Sequence, residues 1–258
     1  MRLMKRILSA AAVLALSASL LVGCSSGTAS SVPVSASSAA ESTVSSVEET
    51  ASSAVDENEA AAAQLLNDLT GSYQELWPVI LADKYKQTWL DDCTALVGED
   101  NAEAAFEKLS SMVTGDVYGE DAVKAYANGG GAYFCGFTNS LAILTFDGET
   151  STISGTDKDG NVLFSHTYHY IGMEPVRGLY EFQSDDADSG EFTYFFLAPD
   201  TSAETYHIEF RYGSDAEALS QYDTGEYAYW LASGISTDCD QTMIDNCIEL
   251  FCTENLAG

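Results

Sequence analysis

Residues 192–213 read FTYFFLAPDTSAETYHIEFRYG, two aromatic-rich runs on either side of a short polar loop that carries a proline. Aromatic side chains suit a pleated, half-buried surface, so two such runs in close succession predict an antiparallel pair of strands. Working outward, short alternating runs recur at Ala142–Phe146, Glu149–Ser154, Val162–Tyr170, Gly178–Gln183, Glu191–Ala198 and Thr205–Tyr212. Asp147-Gly148 and Asp159-Gly160 supply turn signals between them. Six or more short strands in a meander predict a barrel or a sandwich.

Helical patterns flank this β region. The stretch SYQELWPVILADKYKQTWLDDCTAL, Ser72 to Leu96, reads as largely helical, with Gly71 as the break before it and Pro78 near a helix start. Asp121–Ala127 reads as a shorter helix ended by Gly129, Gly130 and Gly131. Met243, Ile244, Cys247, Ile248 and Phe251 form a stripe with a period near 3.6 and predict a C-terminal helix.

At the other end, Arg2, Lys5 and Arg6 precede an apolar run from Ile7 to Leu21, too short to span a bilayer comfortably. Residues 1–23 therefore read as a signal peptide. Leu21-Val22-Gly23-Cys24 resembles the bacterial lipoprotein lipobox. That resemblance implies that Cys24 is lipidated, becomes the mature N-terminus and anchors the protein to the extracytoplasmic face of the cell membrane. Residues 25–64 are rich in Ser, Ala and Glu and have no aromatic residue, which predicts a disordered tether. A chain of that length reaches roughly 35 Å. Its later part, Ala54 to Leu66, reads as helical. Residues 65–258 then make one domain with room for a core.

Three of the 10 Lys and Arg lie in the leader, leaving seven against 40 Asp and Glu, a mature net charge of −33. Phosphate binding needs a basic stripe, so nucleic acid is excluded as a partner. The same charge repels anionic headgroups, which leaves attachment to the acyl chain.

His207 and Glu209 sit two apart on a predicted strand, where side chains alternate faces, so both point the same way. Imidazole and carboxylate both suit zinc. His166 and His169 have an odd separation, which sends them to opposite faces and lets at most one point into a barrel. Asp185-Asp186-Ala187-Asp188-Ser189-Gly190 lacks the helices and the terminal glutamate of a calcium loop and reads as a polar hairpin loop. Besides Cys24 there are five cysteines, Cys93, Cys135, Cys239, Cys247 and Cys252. Cys247 reads as a core residue, and Cys239 or Cys252 as the candidate to pair with Cys93 or Cys135 in an oxidising compartment. No nucleophile elbow, phosphate loop, HExxH or Cys–His pair occurs, so no enzyme is expected.

Three blocks resemble the ZinT family of exported zinc-binding proteins. Leu66–Pro78, LNDLTGSYQELWP, is similar to the family's LxDWxGxWQSxYP, with Tyr73 in place of a tryptophan. Asp157–Gly160 with Val176–Phe182 resembles YDYDG and VRYLFE, and Phe195–Pro199 with His207–Gly213 and Asp215 resembles HIIAP, HFHIFxG and Asp. The resemblance implies a mainly β domain with accessory helices (α+β), a lipocalin-like antiparallel β-barrel. It carries the family's three zinc-binding histidines onto Phe195, His207 and Glu209, and its cysteine pair onto Ser154 and Gln183. One ligand is kept, one replaced and one lost, which implies weaker Zn2+ binding. The site reading requires His207 and Glu209 to face the barrel interior near Phe195. The implied role is a lipid-anchored extracytoplasmic protein that binds zinc or another divalent metal, assisting uptake or buffering beside a metal ABC importer. The alternatives are a barrel that has lost its metal and takes a small apolar ligand or a protein partner, and an interaction module without a small ligand.

Overall fold

A computed structural model describes residues 57–114, 121, 133–199 and 207–256. Eight strands among them close an antiparallel barrel in chain order: β1 (Gly71–Glu75), β2 (Ile143–Asp147), β3 (Thr152–Thr156), β4 (Val162–Met173), β5 (Tyr180–Ser184), β6 (Tyr194–Leu197), β7 (His207–Gly213) and β8 (Ala232–Ser236). Closure comes from β1, which pairs with β2 on one side and β8 on the other, so neither edge of the sheet is left bare. The expected α+β antiparallel barrel is the fold observed.

The interior is filled with rings. Tyr73, Phe146, Phe164, Tyr168, Phe182, Phe195, Phe210 and Tyr212 belong to one buried cluster with Leu144 and Ile153. A helix over residues 57–68, α1, joins it through Ala62, Leu65 and Leu66. This helix begins inside the stretch read as tether, and Ala62 within it has no exposed surface. Gly148 marks how closely α1 lies on the β2–β3 turn. A Cβ there would come within 2.4 Å of the Asn67 backbone, a clash that only glycine avoids.

Helices cover one outer side of the barrel. They are α2 (Leu76–Ile80), α3 (Lys86–Val97), α4 (Glu99–Thr114) and, at the C-terminus, α6 (Gln241–Leu256), while the short α5 (Ala216–Leu219) follows β7. Trp77, Ile80, Trp89, Cys93, Leu109, Ile244, Ile248 and Cys252 form a second buried cluster that reaches β8 through Ile235. Burying a large apolar side chain contributes about 2–3 kcal/mol, so this apolar seam holds the helices on the barrel. Trp89 also donates its indole N–H to the Ile80 carbonyl at 2.8 Å, which ties α3 to the end of α2. No described helix is long and apolar enough to cross a membrane.

The helical reading of Ser72–Leu96 is corrected at its start. Gly71–Glu75 is a strand, because the closing hydrogen bonds to β2 and β8 are available only to extended backbone. Helix resumes at Leu76 and again at Lys86, with Pro78 in the first turn of α2, where a missing N–H costs nothing. Of the expected Asp121–Ala127 helix only Asp121 is described, and it is helical; the rest lies outside the described residues. The strand Glu149–Ser154 shifts to Thr152–Thr156, and Glu191 falls in a 3-10 turn before β6. β8, ASGIS, has small residues and no alternation, so it carries no strand signal.

Candidate functional site

The sequence HIEFRY alternates polar and apolar residues, and β7 folds with the apolar set inward. Ile208, Phe210 and Tyr212 enter the barrel cluster, so His207, Glu209 and Arg211 lie on the opposite, outer face. Register confirms the side. His207 stands opposite Ile235 and Glu209 opposite Ser233, and Ile235 belongs to the helix-side cluster. The two candidate ligands thus share a face as expected, but it is the face beneath α2 and α6, not the interior.

Phe195 is on the other side of the sheet. It pairs with Tyr212 across β6 and β7 and is fully buried among rings, with centroids 5.4 Å from both Tyr168 and Tyr212. Tyr212 is five residues from His207, roughly 17 Å along a strand. The three positions implied by the family resemblance therefore do not converge, and that ligand set does not fit one zinc ion. The period of 2 correctly says which residues share a face; choosing which face is inner requires weighing the whole HIEFRY alternation.

His207 and Glu209 instead line a small cavity of about 40 Å³ together with Cys247 and Glu254 of α6, walled by Trp77 and Phe251. Sequence reading missed Glu254, which has no motif and joins the site only because α6 packs over β7. Close by, Cys135 is pushed up to about 12 by burial and by the charge of Glu209, against smaller opposing contributions from Ser233 and Trp77. It is a neutral thiol at physiological pH. Among the described residues no group of three His, Cys, Asp or Glu is disposed to hold one metal ion.

The other histidines are engaged by the loop after β5. His166 lies on the inward face with Phe164 and Tyr168, and its Nδ1 is 2.6 Å from Asp186 Oδ2. His169 points outward, its Nδ1 2.7 Å from Asp185 Oδ1. One histidine inward and one outward is the expected arrangement. The Asp185–Gly190 segment lies between β5 and β6, and Ser189 Oγ donates from it to Ser184 Oγ at the end of β5. Asp157 is likewise a turn residue. Its carboxylate accepts from the Asn161 side chain and from the backbone N–H groups of Asn161 and Asp159, which holds it below the usual carboxylate range.

A wider hollow of about 810 Å³ opens to solvent between Gln74, Pro78, Phe137 and the Asp157–Gly160 turn. Gln74, Ile143 and Thr156 line it from the outer face of β1, β2 and β3, while Phe137 and Leu141 line it from the barrel cluster.

No family model matches the chain, and no curated protein matches it. Solved structures similar to the chain include two of one protein. One is the Zn(II)-bound ZinT-like domain of Streptococcus pneumoniae AdcA, at 15% identity and a TM-score of 0.43, with 74% of this chain and 89% of that domain covered. The other is Zn(II)-bound AdcA from Streptococcus pneumoniae, also at 15% identity and a TM-score of 0.43, with 72% of this chain and 35% of that one covered.

Proposed function

We propose that the chain is a divergent, lipid-anchored extracytoplasmic member of the ZinT family that binds zinc or another divalent cation and assists metal uptake or buffering beside an importer. The observation that carries this reading is the convergence of His207 and Glu209 on one face and one cavity, with Glu254 and Cys247 across from them. An imidazole and a carboxylate are donors that suit zinc. With two strand residues as the core of the site, binding is weak, and it occurs at the seam between β7 and α6.

Calorimetric titration of the mature chain with zinc tests this. His207→Ala is expected to weaken binding about 10-fold or more, since losing even an outer partner of a metal ligand costs about 10–100-fold. His166→Ala, on the barrel's inward face, is expected to leave it unchanged. Equal affinity in wild type and His207→Ala would remove the site.

The anchor has its own test. Cys24→Ala is expected to move the protein from the membrane fraction to the soluble fraction. Retention on membranes after a salt wash would overturn the lipid reading.

A second reading, a protein-interaction module without metal, is favoured by the absence of three convergent donors among the described residues. The stacked rings leave no matching case for an apolar ligand inside the barrel: Phe164 and Phe192 lie 3.9 Å apart, and Phe195, Phe210 and Tyr212 continue the stack. No measurable zinc binding would shift the assignment to this module.

A further inference from the structure

Two thiols from distant parts of the chain meet under the helical layer. Cys93 on α3 and Cys252 on α6 place their sulfurs 3.9 Å apart, 159 residues apart in sequence, and both side chains are fully buried. The helices that carry them are locked face to face, with the Trp89 and Phe251 rings 6.0 Å apart in an edge-on contact. On α6, Cys252 follows Ile244 and Ile248 at intervals of four, so it points into the same seam by helical geometry. A disulfide needs sulfurs about 2.0 Å apart, so a bond here requires the two sulfurs to close in from 3.9 Å.

We propose that Cys93 and Cys252 form a structural disulfide that staples α6 to α3. The bond forms by thiol–disulfide exchange with a small-molecule or protein disulfide. One cysteine, as thiolate, attacks a sulfur of the oxidant and expels one thiol; the second then attacks the mixed disulfide and expels the other. The two cysteines lose two protons and two electrons, and the oxidant disulfide is reduced to two thiols. Burial raises both thiols above their usual range, so exchange runs while the helices are still open and is slow in either direction once they close. This pair is distinct from Ser154 and Gln183, the positions to which the family resemblance carries a cysteine pair. The proposed export supplies an oxidising compartment, but the pairing itself rests on geometry.

The mature chain, refolded in oxidised or in reduced glutathione and then alkylated under denaturing conditions, gives the test. Peptide mapping of the oxidised sample is expected to find the Cys93 peptide joined to the Cys252 peptide. The closed loop should migrate faster on a non-reducing denaturing gel, and Tm should lie about 10 °C above that of the reduced form. Cys252→Ala and Cys93→Ala should each abolish the fast band and the dependence of Tm on redox poise. Full alkylation of both cysteines in the oxidised sample, or a bond from either to another cysteine, would overturn the proposal. Because the map is read on wild-type protein in vitro, its outcome is independent of zinc binding and of the anchor.

Discussion

Phe195→His is expected to destabilise the domain by about 3 kcal/mol and to leave zinc affinity unchanged. The ring it removes is fully buried, within 5.4 to 6.4 Å of Tyr168, Tyr212, Phe164 and Phe210 by centroid distance. Truncating a core aromatic costs about 3–5 kcal/mol; imidazole recovers part of the volume but brings ring nitrogens that cost about 1–3 kcal/mol when buried without partners. A histidine there matches the family pattern on paper, yet it projects into the barrel while His207 and Glu209 project toward α6. Urea unfolding and zinc calorimetry on the same preparation decide the matter. Tighter zinc binding in Phe195→His would show that the two faces communicate and that the outer-seam site is misplaced.

Arg211→Ala should cost about as much, for a different reason. Arg211 lies on the same outer face as His207 and Glu209 but is completely enclosed by the segment after β7. Its guanidinium donates to the carbonyls of Leu219 and Tyr227 and stacks on Tyr222, its carbon 4.3 Å from the ring centroid. Arg177 lies 4.6 Å from the same ring. Burial lowers the Arg211 pKa and pushes Tyr222 up to about 12, so the ring remains a neutral phenol and the cation–π contact persists across physiological pH. Removing the side chain strands two buried carbonyl acceptors, each worth about 1–3 kcal/mol, and loses the packing of the stem. A loss of about 3–4 kcal/mol, read as a fall in Tm of roughly 10 °C, is the expected result. Arg211→Met retains the stem and should recover part of it. A change below about 1 kcal/mol in Arg211→Ala would mean that the 216–230 segment does not depend on this anchor.

Both predictions turn on the side of the sheet to which a residue belongs, and the sequence speaks to that only in part. In HIEFRY the alternation alone pairs His207 with Glu209 and separates both from Ile208 and Phe210. In VLFSHTYHY it alone separates His166 from His169. The strands β2, β4, β5, β6 and β7 were likewise legible from aromatic and β-branched runs between turns, and α6 from its 3.6-residue stripe. These are properties of one backbone segment at a time, set by local sterics and period.

What the tertiary structure decided is everything that needs two segments at once. Gly71–Glu75 became a strand because the barrel required a closing partner for β2 and β8, overriding a helical local pattern. ASGIS became β8 for the same reason, with Ile235 as its one strand-like side chain and no alternation to announce it. Glu254 and Cys247 reach His207 and Glu209, and Cys93 reaches Cys252, only through the docking of α6. Contacts of this kind depend on loop closure over long separations and on apolar burial summed over many residues, neither of which leaves a mark at the positions that finally touch.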